Sequence, residues 1–238
     1  MRNVLLLLVL LTGLLSACND KYKDPDPEAM GYDYFPLEVG DFRIYNVTDI
    51  RFKSNKGDTT RFQMRERVDA TFYDQTNTLN YKVIRSIRVD ASTPWVDDSV
   101  YTIIQNKTNL LLTKNNTKYV KMVFPVKEGK SWTADAFNDR FINVDEKERS
   151  SYTNVGEAYT AGENTYGNTV TVIQGTPSDG ILILDDRKEV YAAEVGLVYR
   201  VFNKVIYCND FNGECEFGTG YKLFGHERHE TLLTHGKE

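Results

Sequence analysis

The sequence predicts an all-β fold: an antiparallel, strongly curved sheet arranged as a sandwich or a partly open barrel, with at most one short helix. Three observations carry this. Apolar residues recur with period two along most of the chain after Tyr32, the spacing of strands with one buried face. Long runs with helical spacing are missing from the pattern. Tyr and Phe are abundant, with 15 and 12 copies in 238 residues, and Thr is frequent, a composition that favours strands.

Taken in order, the first clear strand runs through Phe62, Met64, Val68, Ala70 and Phe72, alternating with Gln63, Arg65, Arg67, Asp69 and Thr71. Tyr81, Val83, Ile87 and Val89 repeat the pattern. A four-residue turn over Asp74-Gln75-Thr76-Asn77 sets Phe72 opposite Leu79, Ala70 opposite Tyr81 and Val68 opposite Val83. The same register sets Met64 opposite Ile87 and Phe62 opposite Val89, so apolar meets apolar throughout. Glu66 and Arg85 break their apolar faces and fall directly opposite each other, which predicts a partly buried cross-strand ion pair. Further strands are expected near 98–105, 109–114, 117–124, 168–174, 196–207 and 219–233. Asn115-Asn116 reads as the tight turn of a hairpin. The segment 133–148 is the one place for a short helix.

One internal echo recurs. FPLEVGDFRIY at 35–45 and FPVKEGKSWTA at 124–134 share Phe-Pro, an apolar residue, a Gly and then an aromatic. Pro and Gly bracket a turn and the aromatic opens a strand. The echo marks either a duplicated domain or one turn device used twice; nothing else matches between the halves, which favours the device.

Composition bounds the function. Hydrophobic residues make up 41% and charged residues 26%, ordinary for a folded soluble protein and against bulk disorder. The net charge is −5. A mildly acidic chain argues against nucleic acid and anionic headgroups as partners.

The N-terminus fixes the address. Arg2 precedes an apolar block from Val4 to Leu15, too short to span a bilayer and broken only by Thr12 and Gly13. Leu15-Ser16-Ala17-Cys18 resembles the lipobox of bacterial lipoproteins. That resemblance implies a signal peptide at 1–17, cleavage before Cys18, and diacylglycerol on its sulfur with an acyl chain such as palmitate on its amino group. Cys18 and residues to 31 then form a flexible acidic tether, and 32–238 a single β-rich domain. Asp20, Asp24, Asp26 and Glu28 resemble surface-export signals of Bacteroidota lipoproteins, and equally a soluble linker. With Cys18 lipidated, Cys208 and Cys215 remain. An even pair outside the cytosol reads as one disulfide; two free thiols or a metal pair are the alternatives.

The opening FPLEVGDFRIYNV resembles the FPL-x-x-G-x-x-W-x-Y start of a set of Bacteroidota outer-membrane or surface lipoproteins of unknown function, with Phe42 or Ile44 where Trp is usual. KMVFPVKEGKSWTADAFN, NTVTVIQ at 168–174 and EVYAAEVGLVYRVF at 189–202 are similar to the same family, whose stretch reads EVYA-x-x-VGLVY. The resemblance implies an envelope location and a β fold; it brings no active site.

Candidate chemistry is sparse. His226 and His229 in GHERHE are three apart, not the i, i+4 pair of a helical zinc motif, and on a strand they point to opposite faces. A calcium loop around Asp210 would need ligands at Cys208 and Thr219, so a turn at Asn212-Gly213 inside a Cys208–Cys215 bridge explains those residues better. Gly129-Lys130-Ser131 matches only the tail of a phosphate loop. The acidic pairs Asp97-Asp98 and Asp185-Asp186 read as turn acids. Trp95 and Trp132 could stack sugars or lie in the core. Asp58-Thr59-Thr60 and Asp98-Ser99-Val100 resemble O-glycosylation sites of Bacteroidota envelope proteins. The reading is therefore a non-enzymatic envelope lipoprotein without cofactor or metal. It binds or scaffolds another envelope protein, a lipid or a glycan; the alternative is a carrier holding an apolar ligand in its curved sheet.

Overall fold

The computed structural model describes residues 26–138, 148–175, 181–209, 215 and 217–238. The signal peptide, Cys18 and the turn at Asn212-Gly213 lie outside the described residues. Twelve antiparallel strands follow one another: β1 (Asp41–Lys53), β2 (Lys56–Tyr73), β3 (Leu79–Arg88), β4 (Val96–Gln105), β5 (Asn109–Lys114), β6 (Thr117–Val123), β7 (Ser131–Thr133), β8 (Arg149–Ala161), β9 (Asn164–Ile173), β10 (Ile183–Ala192), β11 (Gly196–Tyr207) and β12 (Lys222–Lys237). They form one sheet in the order β6-β5-β4-β3-β2-β1-β12-β11-β10-β9-β8-β7. Each strand lies beside its chain neighbour, and β1 pairs with β12 along its whole length.

The sheet curls until its edge strands β6 and β7 meet, making a nearly closed barrel rather than a sandwich. The seam is held mostly by side chains. Val120 N donates to Ala134 O at 2.7 Å, and Trp132 Nε1 donates to Val120 O at 2.9 Å. The Tyr152 hydroxyl accepts from Val123 N at 2.9 Å and donates to Val123 O at 3.0 Å. Closure in this way removes the free edges an open sheet would offer to other chains. Tyr152→Phe keeps the packed ring and strips both Val123 groups of their partner. A loss of about 1–3 kcal/mol is expected, with faster hydrogen exchange at the Val123 amide than at the amides of β1.

The β2–β3 hairpin shows where the expected register holds. Val68 faces Val83, Glu66 faces Arg85 and Met64 faces Ile87. Beyond Val68 the register shifts: Ala70 pairs with Lys82, Thr71 with Tyr81 and Tyr73 with Leu79. The turn is one residue longer than expected. Asp74 Oδ1 accepts from Thr76 N and Thr78 N, and Asn77 sits at φ 58°. A bulge at Asp69 absorbs the extra residue. Val89, expected opposite Phe62, lies past the end of β3 and is exposed. Asn115 and Asn116, at φ 51° and 57°, form the tight β5–β6 turn expected of them.

β8 and β10 were not anticipated, and the short β7 only as the strand that Trp132 opens after the second Phe-Pro turn. β8 pairs with β9 across a bulge between Thr153 and Glu157. Beyond it the hairpin turns back over the outside of the barrel. Tyr159 packs on Tyr199 of β11 with ring centroids 5.9 Å apart, and a β-carbon at Gly162 would lie 3.3 Å from Thr231 Cγ2. Of the segment expected to hold a short helix, Thr133 ends β7 and 134–137 form turns; 139–147 lie outside the described residues.

One end of the barrel is capped by the N-terminal segment. Helix α1 (Pro27–Met30) and a single 3-10 turn (Tyr32–Tyr34) cross it. Tyr32 packs edge-on against Phe124 at 4.6 Å, the Tyr34 hydroxyl donates to Asn168 Oδ1 at 2.7 Å, and Phe35 packs on Tyr191. Gly31 adopts φ 75°, and a β-carbon there would meet Val126 Cγ2 at 2.8 Å, so this crossing requires glycine. Met30 also packs on the core. The two Phe-Pro turns open β1 and β7, the first strands of the two six-stranded halves, with Gly40 and Gly129 both at positive φ. The repeated turn thus has the same structural task in each half.

Candidate functional site

The barrel interior is where the charged residues of the strands converge. Glu66 on β2 and Arg85 on β3 meet there, Arg85 Nη2 lying 2.7 Å from Glu66 Oε1. A longer chain of charges crosses from β6 to β12. Lys121 Nζ lies 2.6 Å from Glu189 Oε1, and Arg200 Nε donates to the same oxygen at 2.9 Å. The Tyr191 hydroxyl donates to Glu189 Oε2 at 2.6 Å. Arg200 Nη1 continues to Glu230 Oε2 at 2.6 Å, and Arg228 Nε reaches Glu230 Oε1 at 2.7 Å. Arg228 Nη1 and His226 Nε2 then share Asp49 Oδ2, at 3.5 and 2.9 Å.

Electrostatics follow from this pairing. Burial alone would raise the Glu66 and Glu189 carboxyls. The charges of Arg85 and Arg200 hold Glu66, and those of Lys121 and Arg200 hold Glu189, at about 2 instead. Burial pushes the phenols of Tyr45, Tyr101 and Tyr191 up, away from nucleophilic use at neutral pH. These carboxylates are thus held charged by neighbouring cations, which ill suits them to proton transfer. Around the network, Tyr45, Met64, Leu110, Met122, Val170 and Val172 fill the remaining interior. A cavity of about 20 Å³ is left in the middle of the barrel.

The sequence candidates disperse over this frame. His226 points inward to Asp49, whereas His229 points outward, between the Tyr199 hydroxyl at 2.9 Å and Glu227 Oε1 at 2.8 Å. Asp97 accepts from Ser86 Oγ and Asp98 from Ser99 Oγ. Asp185 is clamped by Arg187, while Asp186, next along the strand, faces the other way. Lys130 donates to the carbonyls of Phe124 and Pro125, so its motif belongs to the turn. Trp132 sits in the seam, and the Trp95 ring is covered by Arg88 and Arg65, 4.2 and 5.1 Å from its centroid. The Trp132 indole is thus taken up by the seam, while the half-buried Trp95 stacks with two arginines. Cys208 and Cys215 are joined by a disulfide at the uncapped end. Among the described residues, no group of three or more His, Cys, Asp or Glu is placed to hold a metal ion.

Two open clefts lie among the described residues. One, of about 590 Å³, lies at the uncapped end beside Arg187, whose guanidinium is already engaged by Asp185 and Glu148. The other, of about 600 Å³, lies beside the cap. The uncapped rim also carries an apolar row. Ile183, Ile206 and Phe224 are directly paired on β10, β11 and β12, and are 50%, 46% and 53% exposed. Three exposed apolar side chains in one register row form a contiguous patch rather than scattered surface residues.

The sequence pattern did not single out Lys121, Glu189, Arg200, Glu230 or the rim. The available signal was the charge at positions whose strand neighbours two residues away are buried, as with Glu189 before Tyr191 and Glu230 before Leu232.

No protein-family model matches the chain, and no curated protein matches it. Two solved structures are similar. One is described as an exported protein with a YmcC-like fold from Bacteroides fragilis NCTC 9343. It is 11% identical, with 85% of this chain and 98% of that chain covered and a TM-score of 0.41. The other is described as a lipoprotein from Parabacteroides distasonis ATCC 8503, also 11% identical with the same coverage and a TM-score of 0.35.

Proposed function

We propose that the chain is a lipid-anchored protein of the bacterial outer membrane, held through Cys18, that works as a non-enzymatic binding or scaffolding component. The observation that carries this is the filled interior: the cavity among the described residues of the barrel interior is about 20 Å³, which leaves no room for an apolar cargo. The carrier reading needs an enclosed apolar hollow, and the barrel centre is ionic.

Function then falls to the surfaces outside the filled centre, among them the mouth of the uncapped end. The tether enters at the capped end, through α1, and the row Ile183–Ile206–Phe224 lies at the opposite end. A lipid on Cys18 holds the capped end toward its membrane, so the row faces away from that bilayer. The patch is apolar and lacks the depth to enclose a small molecule, which suits another envelope protein as partner.

Native mass spectrometry of the full chain, extracted from its envelope in mild detergent, tests the reading. The expected species begins at Cys18, carries covalent acyl chains and holds no organic ligand. A stoichiometric extra mass of a few hundred daltons, lost on denaturation, would restore the carrier reading. A mature chain without lipid on Cys18 would overturn the anchor.

A further inference from the structure

We propose that the central cavity is a binding site for one small monovalent anion of the halide class. Its volume, about 20 Å³, exceeds the roughly 10–15 Å³ that a single water-sized guest requires and is too small for phosphate, sulfate or an organic acid. Its charged lining is Arg43, Lys121, Arg200 and one carboxylate, Glu66. Glu66 is already engaged by Arg85 and the Tyr101 hydroxyl.

The core around the cavity carries unequal charge. Its cations are Arg43, Arg85, Lys114, Lys121, Arg200 and Arg228; its carboxylates are Asp49, Glu66, Glu189 and Glu230, and His226 also leans on Asp49. Of the cations that line the cavity, Arg43 is the one without a carboxylate partner among the described residues. It is only 8% exposed, yet its Nε donates to Val195 O at 2.6 Å and its Nη2 to Pro36 O at 2.9 Å, both carbonyls. Among the described residues it forms no ion pair. Arg43 also lines the cleft beside the cap, with the carboxylates of Asp33, Glu38, Asp41 and Glu194, and forms an ion pair with none of them. Carbonyl dipoles supply only part of a charge, and a buried guanidinium without a full counter-charge is costly.

A halide supplies the missing unit charge. Lys121 spends one of its three donors on Glu189, and Arg200 spends Nε on Glu189 and Nη1 on Glu230 out of five N–H donors. The apolar walls of Ile103, Leu110 and Leu112 suit an ion that sheds water more readily than phosphate or sulfate does. Arg43 also holds the cap, through Pro36 O and the Phe35 ring 5.7 Å away. Anion binding would therefore lock the tether-bearing segment onto the barrel.

Thermal unfolding of the full chain in sodium bromide, chloride and gluconate at matched ionic strength tests this, because matching cancels general screening. A saturable rise of a few degrees in the halides over gluconate is expected, lost in Arg43→Met. Equal melting in all three salts would overturn the proposal, as would a halide effect undiminished in Arg43→Met. If that variant does not fold, anomalous scattering from wild-type crystals grown in bromide decides. A peak in the cavity supports the site; peaks on the surface only, or a water in the cavity, remove it.

Discussion

Glu189→Ala is expected to destabilise the barrel by about 3–5 kcal/mol and to lower its melting temperature by on the order of 10 °C. Glu189 receives Lys121, Arg200 and the Tyr191 hydroxyl on its two oxygens, and its residue is 2% exposed. Removing it leaves the Lys121 ammonium without its ion-pair partner and Arg200 with only Glu230. Three donors lose their acceptor together. The comparison that isolates burial is Asp98→Ala, an exposed acid whose side-chain contact is Ser99 Oγ, where a change within about 0.5 kcal/mol is expected. The charge term separates from packing by a second comparison. Lys121→Met combined with Glu189→Leu removes donor and acceptor together and should recover part of the loss, since buried ion pairs often exchange for apolar residues at little cost. Urea denaturation of the four proteins measures all of this. A loss under about 1 kcal/mol for Glu189→Ala would mean that water reaches the network and screens it.

The strand periodicity of the first half was legible because β2 to β6 each bury one face against apolar neighbours. The pairings Val68–Val83, Glu66–Arg85 and Met64–Ile87 follow from that alternation alone. The bulge at Asp69 was not legible, because it compensates for a turn length set by Asp74 accepting from Thr76 and Thr78. β10 was hidden for a different reason. Its inward positions include Asp185, Arg187 and Glu189, so a strand buried on that face reads as polar. The partner of Glu189 is Lys121, 68 residues earlier and on the other side of the barrel. No local pattern encodes such a pair. The choice between sandwich and barrel had the same obstacle: the seam depends on Trp132 and Tyr152 reaching backbone groups of Val120 and Val123. Both aromatics were visible in the sequence, but their contacts join segments with unrelated periodicity.

The ionic core also sets an expected acid limit: the barrel should stay folded down to about pH 3, and lose stability steeply only below about pH 4.5. Glu66 and Glu189 are held at about 2 in the fold, against an ordinary carboxyl value of 4.5. A depressed value means that the folded state binds the proton less readily than the unfolded chain. The stabilisation is therefore complete above about pH 4.5 and is lost as pH falls through about 2. A shift of this size corresponds to roughly 3 kcal/mol for each group. Together they are comparable with the whole stability of a typical domain, roughly 5–15 kcal/mol, so acid unfolding should track their protonation. Tryptophan fluorescence against pH measures this, because Trp132 in the seam reports barrel opening. Glu66→Gln removes one of the two buried titrating groups. It should lower stability at pH 7, where Arg85 loses its counter-charge, and should flatten the slope of stability between pH 4.5 and 2. The same substitution leaves Glu189 with Lys121 and Arg200, so the residual slope belongs to Glu189 together with the more exposed Asp49, Asp69 and Asp74, which are also held below their ordinary values. A wild-type barrel that opens near pH 4.5, or an unchanged slope in Glu66→Gln, would show that the acid response comes from surface carboxylates instead.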